Sequence, residues 1–105
     1  MTRKAAPSSR ALLRPVRIGV IGDFEPIYHS HFATNAGLYD AAAKLRVPLH
    51  LRWLPTSALD VPHAARLLSR WDGLLAAPGS PYKSFSGMLR GIEFARKRDW
   101  PFAAT

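Results

Sequence analysis

Two carboxylates stand close together near the start of the chain, in a pattern that could do acid–base chemistry. Asp23 and Glu25 follow the short apolar run Val16–Ile21, which is rich in β-branched residues. Paired carboxylates can exchange a proton with a substrate or hold a cation. Residues of this kind also commonly do no more than solvate a loop. The sequence therefore marks Asp23 and Glu25 as candidate pocket-lining residues and leaves both roles open.

The second candidate is a Pro-Gly-Ser-Pro loop at residues 78–81, which follows the continuous apolar run 73–77. Proline excludes this segment from a helix interior or a strand ladder, and glycine lets the backbone come close to a ligand. The backbone N–H groups of Gly79 and Ser80 could bind an oxyanion or a carboxylate. An ordinary turn has the same composition, so both interpretations stay open. We expect Tyr82 to line this loop rather than react.

Other chemistries lack the residues that they need. The chain has no cysteine, which excludes a thiol nucleophile, a thiolate metal site and a disulfide within these 105 residues. His29 and His31 would diverge by about 200° on a helix and have no third ligand nearby in sequence, so we expect no metal. Gly19 and Gly22 lack the third glycine of a dinucleotide-binding fingerprint. We therefore predict no cofactor and no catalytic residue within the chain.

The hydrophobic pattern predicts the elements that must carry these loops. The predicted strands are Val16–Ile21, Leu49–Leu54, 73–77 and 100–104, and the predicted helices are His29–Leu45, 60–70 and Phe85–Arg98. Strands that alternate with helices in this way form right-handed βαβ units. We predict an α/β fold with a flavodoxin-like open parallel sheet of about four strands and three helices, the helices covering both faces.

In an open parallel sheet, ligands bind outside the carboxyl ends of the strands. Segments 22–26, 55–57 and 78–83 each follow a predicted strand. The topology therefore predicts that these three segments meet at one site.

The periodicity of two elements predicts which faces they bury. In the first helix, Phe32, Ala36, Tyr39 and Ala43 recur at helical spacing and form one apolar stripe, which predicts that this stripe packs on the sheet. The segment Leu49–Leu54 alternates strictly between apolar and polar residues, which predicts a half-exposed strand near a sheet edge. Asp60 is suited to cap the helix predicted at 60–70.

The charge of the chain is strongly positive. The net charge is +8, and five of the fifteen basic residues lie in the first 17 positions, which hold no acid. Such an arm can contact nucleic acid or an anionic membrane surface. No aromatic residues interleave with these charges, as a single-strand binding groove would require. We therefore interpret residues 1–14 as a flexible basic tail and 15–105 as the folded domain. No apolar run reaches about 18 residues, so we predict no membrane span.

The third predicted strand and its loop carry a family resemblance. The stretch WDGLLAAPGSPYKSFSGMLRGIEFARKRDWPFAAT resembles class I glutamine amidotransferase domains, above all the glutaminase domain of CTP synthase and its stand-alone relatives. There, a D-G-hydrophobic-x-x-P-G-[GS] strand and loop precede a helix with an [IL]-x-[FY]-A-R core. The segments RIGVIGDF and LRWLPTSALD resemble the opening strand and the second strand of that domain. The likeness runs from about residue 17 to residue 105.

The resemblance implies a role for the loop at Pro78. In the family, a Pro-Gly-Gly loop supplies backbone N–H groups to an oxyanion hole and helps to seat glutamine. Pro78 and Gly79 match it, and Ser80 stands in place of the second glycine, as in the stand-alone subgroup. The family's nucleophilic cysteine would follow Thr105, and its histidine and glutamate lie farther on. The resemblance thus implies the N-terminal half of such a domain, truncated and inactive alone.

The resemblance also implies partners and a pathway. Complete relatives hydrolyse glutamine through a thioester and supply ammonia for pyrimidine nucleotide biosynthesis. The implied partners are glutamine, a synthase (amination) domain or a second copy of the chain, with neither a membrane nor nucleic acid expected. The implied location is the cytoplasm. Two other functions stay open: a non-catalytic α/β binding module that uses its strand-end loops, and a small basic protein associated with nucleic acid.

Overall fold

The computed structural model describes residues 14–77 and 82–104. The elements along the chain are β1 (Val16–Ile21), α1 (His29–Leu45), β2 (Leu49–Leu54), α2 (Thr56–Leu59), α3 (Ala64–Leu68), β3 (Gly73–Ala76), α4 (Phe85–Arg98) and β4 (Phe102–Ala104). The strands form one parallel sheet in the order β2-β1-β3-β4. The predicted flavodoxin-like α/β fold is confirmed. The proposed tail boundary remains a prediction, since residues 1–13 lie outside the described residues.

The strand order follows from the crossovers. Because β2 lies on one side of β1 and β3 on the other, right-handed connections place α1 on one face of the sheet and α2 to α4 on the opposite face. The main core lies on the α2–α4 face. Its buried members are Ile21, Leu59, Ala64, Leu68, Leu74, Ala76, Met88 and Phe94.

The edge position predicted for β2 is confirmed. Its Leu49, Leu51 and Trp53 are half-buried on one face, whereas His50 and Arg52 are exposed on the other. The strand pairs only with β1 among the described strands, in register from Val16 opposite Leu49. The alternation of apolar and polar residues therefore correctly predicted the half-exposed environment of an edge strand.

The face predicted for α1 is wrong. Phe32 and Tyr39 are each 52% exposed, and Ala36 is exposed as well. The buried residues of the helix are instead His31 and Ala42. One position corresponds to a rotation of about 100°, so the helix presents a neighbouring, more polar stripe to the sheet.

Hydrogen bonds account for this rotation of α1. The Nδ1 atom of His31 accepts a bond of 2.9 Å from the backbone N–H of Glu25. Asn35, one turn later, accepts a bond of 2.7 Å from the indole N–H of Trp53. The backbone N–H of Glu25 and the indole N–H of Trp53 would lose these acceptors if the aromatic stripe faced the sheet. A buried donor without a partner costs about 1–3 kcal/mol.

The segment predicted as one helix at 60–70 is also different. Asp60 ends α2 as its C-cap residue, and α3 begins only at Ala64, with no side-chain cap. The carboxylate of Asp60 pairs with Arg90 of α4 at 3.4 Å, so it is engaged away from the α3 terminus. Among the described helices, none is long and apolar enough to cross a bilayer.

Candidate functional site

The carboxyl ends of the strands converge on Asp23. This residue follows β1, while Thr56 follows β2 as the first residue of α2. One carboxylate oxygen of Asp23 accepts the backbone N–H of Thr56 at 3.0 Å. The other oxygen accepts the Thr56 hydroxyl at 2.7 Å and the backbone N–H of Lys83 at 2.9 Å. Segments 33 and 60 residues away in sequence are thereby tied to one side chain.

The environment of Asp23 favours its charged form. Burial by itself would raise the pKa of this carboxyl, but three opposing hydrogen bonds and the charge of Lys83 outweigh it and lower the pKa from its ordinary value of 3.8. The bonds come from the Lys83 N–H, the Thr56 hydroxyl and the Thr56 N–H. Asp23 is therefore an ionised acceptor whose oxygens are already occupied, which suits a positioning residue better than a general acid.

Thr56 extends the network to α4. Its side chain is fully buried, and its hydroxyl oxygen accepts the backbone N–H of Ser84 at 2.8 Å. The Ser84 side chain in turn caps α4 by accepting the N–H of Gly87 at 3.0 Å. Charge-assisted bonds to a carboxylate are stronger than neutral ones, so the chain Asp23–Thr56–Ser84 fixes where α4 begins.

The two ends of the 78–81 loop are also fixed. Tyr82 donates its hydroxyl to the carbonyl of Ala77 at 2.8 Å, closing the base of the loop. Lys83, the next residue, is held by Asp23. Pro78, Gly79 and Ser80, the predicted anion-binding residues, lie outside the described residues.

Glu25 is held in a different way from Asp23. The backbone N–H of Glu25 donates a hydrogen bond to His31. The carboxylate of Glu25 accepts none of the hydrogen bonds that hold the carboxylate of Asp23. His31 is 4% exposed and stands among aromatic rings, with Trp53 at 4.8 Å and Phe24 at 5.8 Å between centroids. Because Nδ1 accepts a hydrogen bond, the ring hydrogen lies on Nε2. The ring of His31 therefore packs against Phe24 and Trp53, near the carboxyl ends of β1 and β2.

The structure adds Thr56 and Ser84 to the residues that the sequence marked. Segment 55–57 was expected at the site as a turn, but no residue type singled out Thr56. A serine directly before a helix is a cap signal, so Ser84 could have been found as a cap though not as a partner of Thr56. Within residues 14–77 and 82–104, no three His, Asp or Glu side chains are grouped to hold a metal ion.

Comparisons with curated proteins find similarity to CTP synthases. No family model matches the chain. It is 30% identical over 90 residues to the CTP synthase of Sulfolobus acidocaldarius, covering 85% of the chain and 17% of that protein. It is 25% identical over 99 residues to the CTP synthase of Pyrococcus furiosus, covering 94% of the chain and 18% of that protein. The chain thus spans less than a fifth of the curated relatives that it matches.

A solved structure gives the same indication for the fold. The glutaminase domain of Trypanosoma brucei CTP synthase, with bound acivicin, superposes with a TM-score of 0.73 at 20% identity. The match covers 85% of the chain and 35% of that structure. The resemblance seen in the sequence is therefore confirmed. Most of the length of this chain is similar to a small part of CTP synthase, and the chain has the fold of part of a CTP synthase glutaminase domain.

Proposed function

We propose that this chain forms the scaffold and the glutamine-seating loop of a glutaminase site of the CTP synthase type. Complete sites of this kind release ammonia from glutamine for pyrimidine nucleotide synthesis. The 105 residues contain no cysteine and so no thiol nucleophile. In this proposal, they position the substrate and do not themselves form the thioester.

The Asp23 network carries the proposal. It joins the ends of β1 and β2 to the residues that follow the 78–81 loop, at the edge of the sheet where parallel α/β proteins bind ligands. With Tyr82 holding Ala77 as well, both ends of that loop have fixed positions. A loop anchored at both ends costs less entropy to order around a ligand. We propose that the backbone N–H groups of Gly79 and Ser80 donate hydrogen bonds to the developing oxyanion, beside Pro78.

The proposal extends to domain, partners and location. Residues 15–105 would be the N-terminal half of the glutaminase-like domain, with residues 1–14 as a basic tail. The ammonia would pass to a synthase domain, in the same or another chain, or act within an assembly of like copies. Glu25 and Tyr82 would line the pocket beside Asp23. A cytoplasmic setting fits the substrate and the lack of disulfides.

A binding and turnover experiment on the purified chain tests this function. Titration of the ¹⁵N-labelled chain with L-glutamine should shift the amide signals of Gly79 and Ser80, with a dissociation constant on the order of 1 mM because no covalent step contributes. D-glutamine should shift them far less. A coupled assay should detect no glutamate above a blank.

Each arm of this experiment can fail separately. Turnover above the blank would refute the statement that the chain lacks catalysis. Equal shifts with both enantiomers, or no shift at these amides, would refute the glutamine-seating role. Asp23→Asn should weaken the L-glutamine response, while Asp40→Asn, an exposed change on α1, should leave it unchanged.

A further inference from the structure

A second concave surface lies beside the strand-end site and contains none of Asp23, Thr56 and Lys83. It opens on the face of the sheet opposite α1, where the end of β2 meets α2 and α3. Its volume is about 250 Å³, and Arg52 and Arg70 are among its lining residues. Pockets for small ligands are commonly about 300–1,000 Å³, so this one suits a ligand no larger than one or two rings.

The wall of this cavity is apolar and partly aromatic. Leu54, Leu59 and Leu67 line it together with Trp71, whose side chain remains half-buried. The ring of His50 stacks on Trp71 with 5.7 Å between centroids and 29° between planes. Unlike the indole N–H groups of the other two tryptophans, that of Trp71 has no acceptor among the described residues. An apolar and aromatic wall of this kind favours contact with a flat ring.

The charge at this surface is positive and uncompensated. Arg52 and Arg70 are exposed, and neither forms a salt bridge within the part of the chain that the structure describes. Among the residues that the structure describes, no acidic side chain lines the cavity. The acids beside α3 in sequence are engaged elsewhere, Asp60 with Arg90 at 3.4 Å and Asp72 with Arg17 at 3.9 Å.

We propose that this cavity binds a small organic anion with a planar apolar body and a carboxylate or phosphate group. The guanidinium group is the side chain best suited to such anions, because its planar fork donates two parallel hydrogen bonds. The ring would lie against Trp71 and Leu67, and the anionic group would meet Arg52 and Arg70. This site does not depend on the proposed glutaminase role, since it uses none of the residues of the 78–81 loop.

Titration of the full ¹⁵N-labelled chain with 2-naphthoate tests the site. We expect a saturable shift of the Trp71 indole signal, assigned through Trp71→Phe. The uncharged analogue 2-naphthamide should bind at least tenfold more weakly. Arg52→Gln and Arg70→Gln should each weaken 2-naphthoate binding about tenfold, the effect of losing about 1.4 kcal/mol. Arg66→Gln, on α3 but outside the cavity, is the matched control and should not change affinity.

2-Naphthyl phosphate, used in parallel, distinguishes the two anion types because it keeps the same ring system and changes the anionic group. Tighter binding than 2-naphthoate would assign the site to phosphate esters, and weaker binding would assign it to carboxylates. Equal affinity for the acid and the amide would overturn the proposal, as would a loss in Arg66→Gln equal to the loss in Arg70→Gln. A Trp71 shift that never saturates would also overturn it. Circular dichroism of each variant separates lost binding from lost folding.

Discussion

Asp23 links the sequence to the site at the scale of one residue. The sequence marked it because a carboxylate follows the first strand, but solvation of a loop, the commoner role, was consistent with that position as well as acid–base work. The structure shows a third role, because the three hydrogen bonds that Asp23 accepts within the described residues come from donors on other segments. Those donors lie on Thr56 and Lys83, far along the chain, so no local pattern could have predicted the network.

Replacing Asp23 by asparagine should destabilise the fold. The amide keeps one acceptor oxygen but loses the charge, and its NH₂ group would face a donor from Thr56 or Lys83. Hydrogen bonds to charged groups contribute about 1.5–3 kcal/mol each. We expect Asp23→Asn to lower the free energy of unfolding by about 2 kcal/mol near pH 7, measured by urea denaturation.

The stability difference between the parent chain and Asp23→Asn should depend on pH. Since the pKa of Asp23 is lower in the folded chain than its ordinary value of 3.8, the unfolded state takes up the proton first. The stabilisation is therefore complete above about pH 5 and is lost as the pH falls through the folded-state pKa. The difference between the parent and Asp23→Asn should shrink below about pH 4. Asp40→Asn, which removes only an exposed pair with Lys44, should cost little at any pH. Equal losses in the two variants would contradict the role assigned to Asp23.

At the scale of elements, the contact between α2 and α4 decides how closely the network can form. Gly87 of α4 lies directly against the backbone of Thr56, so that a Cβ atom at this position would collide with the Thr56 carbonyl oxygen. Gly37 of α1, by contrast, has nothing within 4 Å of such an atom. The chain thus contains two helical glycines whose surroundings are opposite.

Alanine substitution of these two glycines should have effects of opposite sign. Gly87→Ala must push α4 away from α2, and we expect a loss of about 1–3 kcal/mol in the free energy of unfolding. Gly37→Ala gains helix propensity in open space, and we expect a gain of up to about 1 kcal/mol. Urea denaturation of both variants checks the pair. A neutral Gly87→Ala would mean that the helices pack less closely than described.

The elements also show where hydrophobic periodicity succeeds and fails. It predicted the bounds of β1, β2 and α4, because each has one clear apolar face or run. It chose the wrong face of α1, because polar groups of His31 and Asn35 are held by hydrogen bonds from the loop and from β2. Periodicity measures the transfer of apolar surface from water and does not register a buried polar side chain that has found its partner.

At the scale of the whole molecule, the topology was predictable because few arrangements satisfy short right-handed crossovers. The sequence alone places the loops that follow the first three strands at one end of the sheet. The cavity between Arg52 and Arg70 could not be predicted in this way, because it depends on how α2 and α3 tilt over the edge strand. Tilt is a property of packing between elements, and local sequence does not encode it.

The net charge of +8 makes a final prediction about the molecule as a whole. Like charges repel in the compact state, and the five salt bridges of the described residues are exposed pairs of 3.4–3.9 Å, which contribute little. Screening should therefore relieve more repulsion than attraction. We expect the urea midpoint to rise when NaCl is increased from about 20 to 300 mM, over which the Debye length falls from about 20 to 6 Å. KCl should act identically, and the slope of the denaturation curve should stay constant. A midpoint that falls with salt would show that the surface ion pairs outweigh the repulsion.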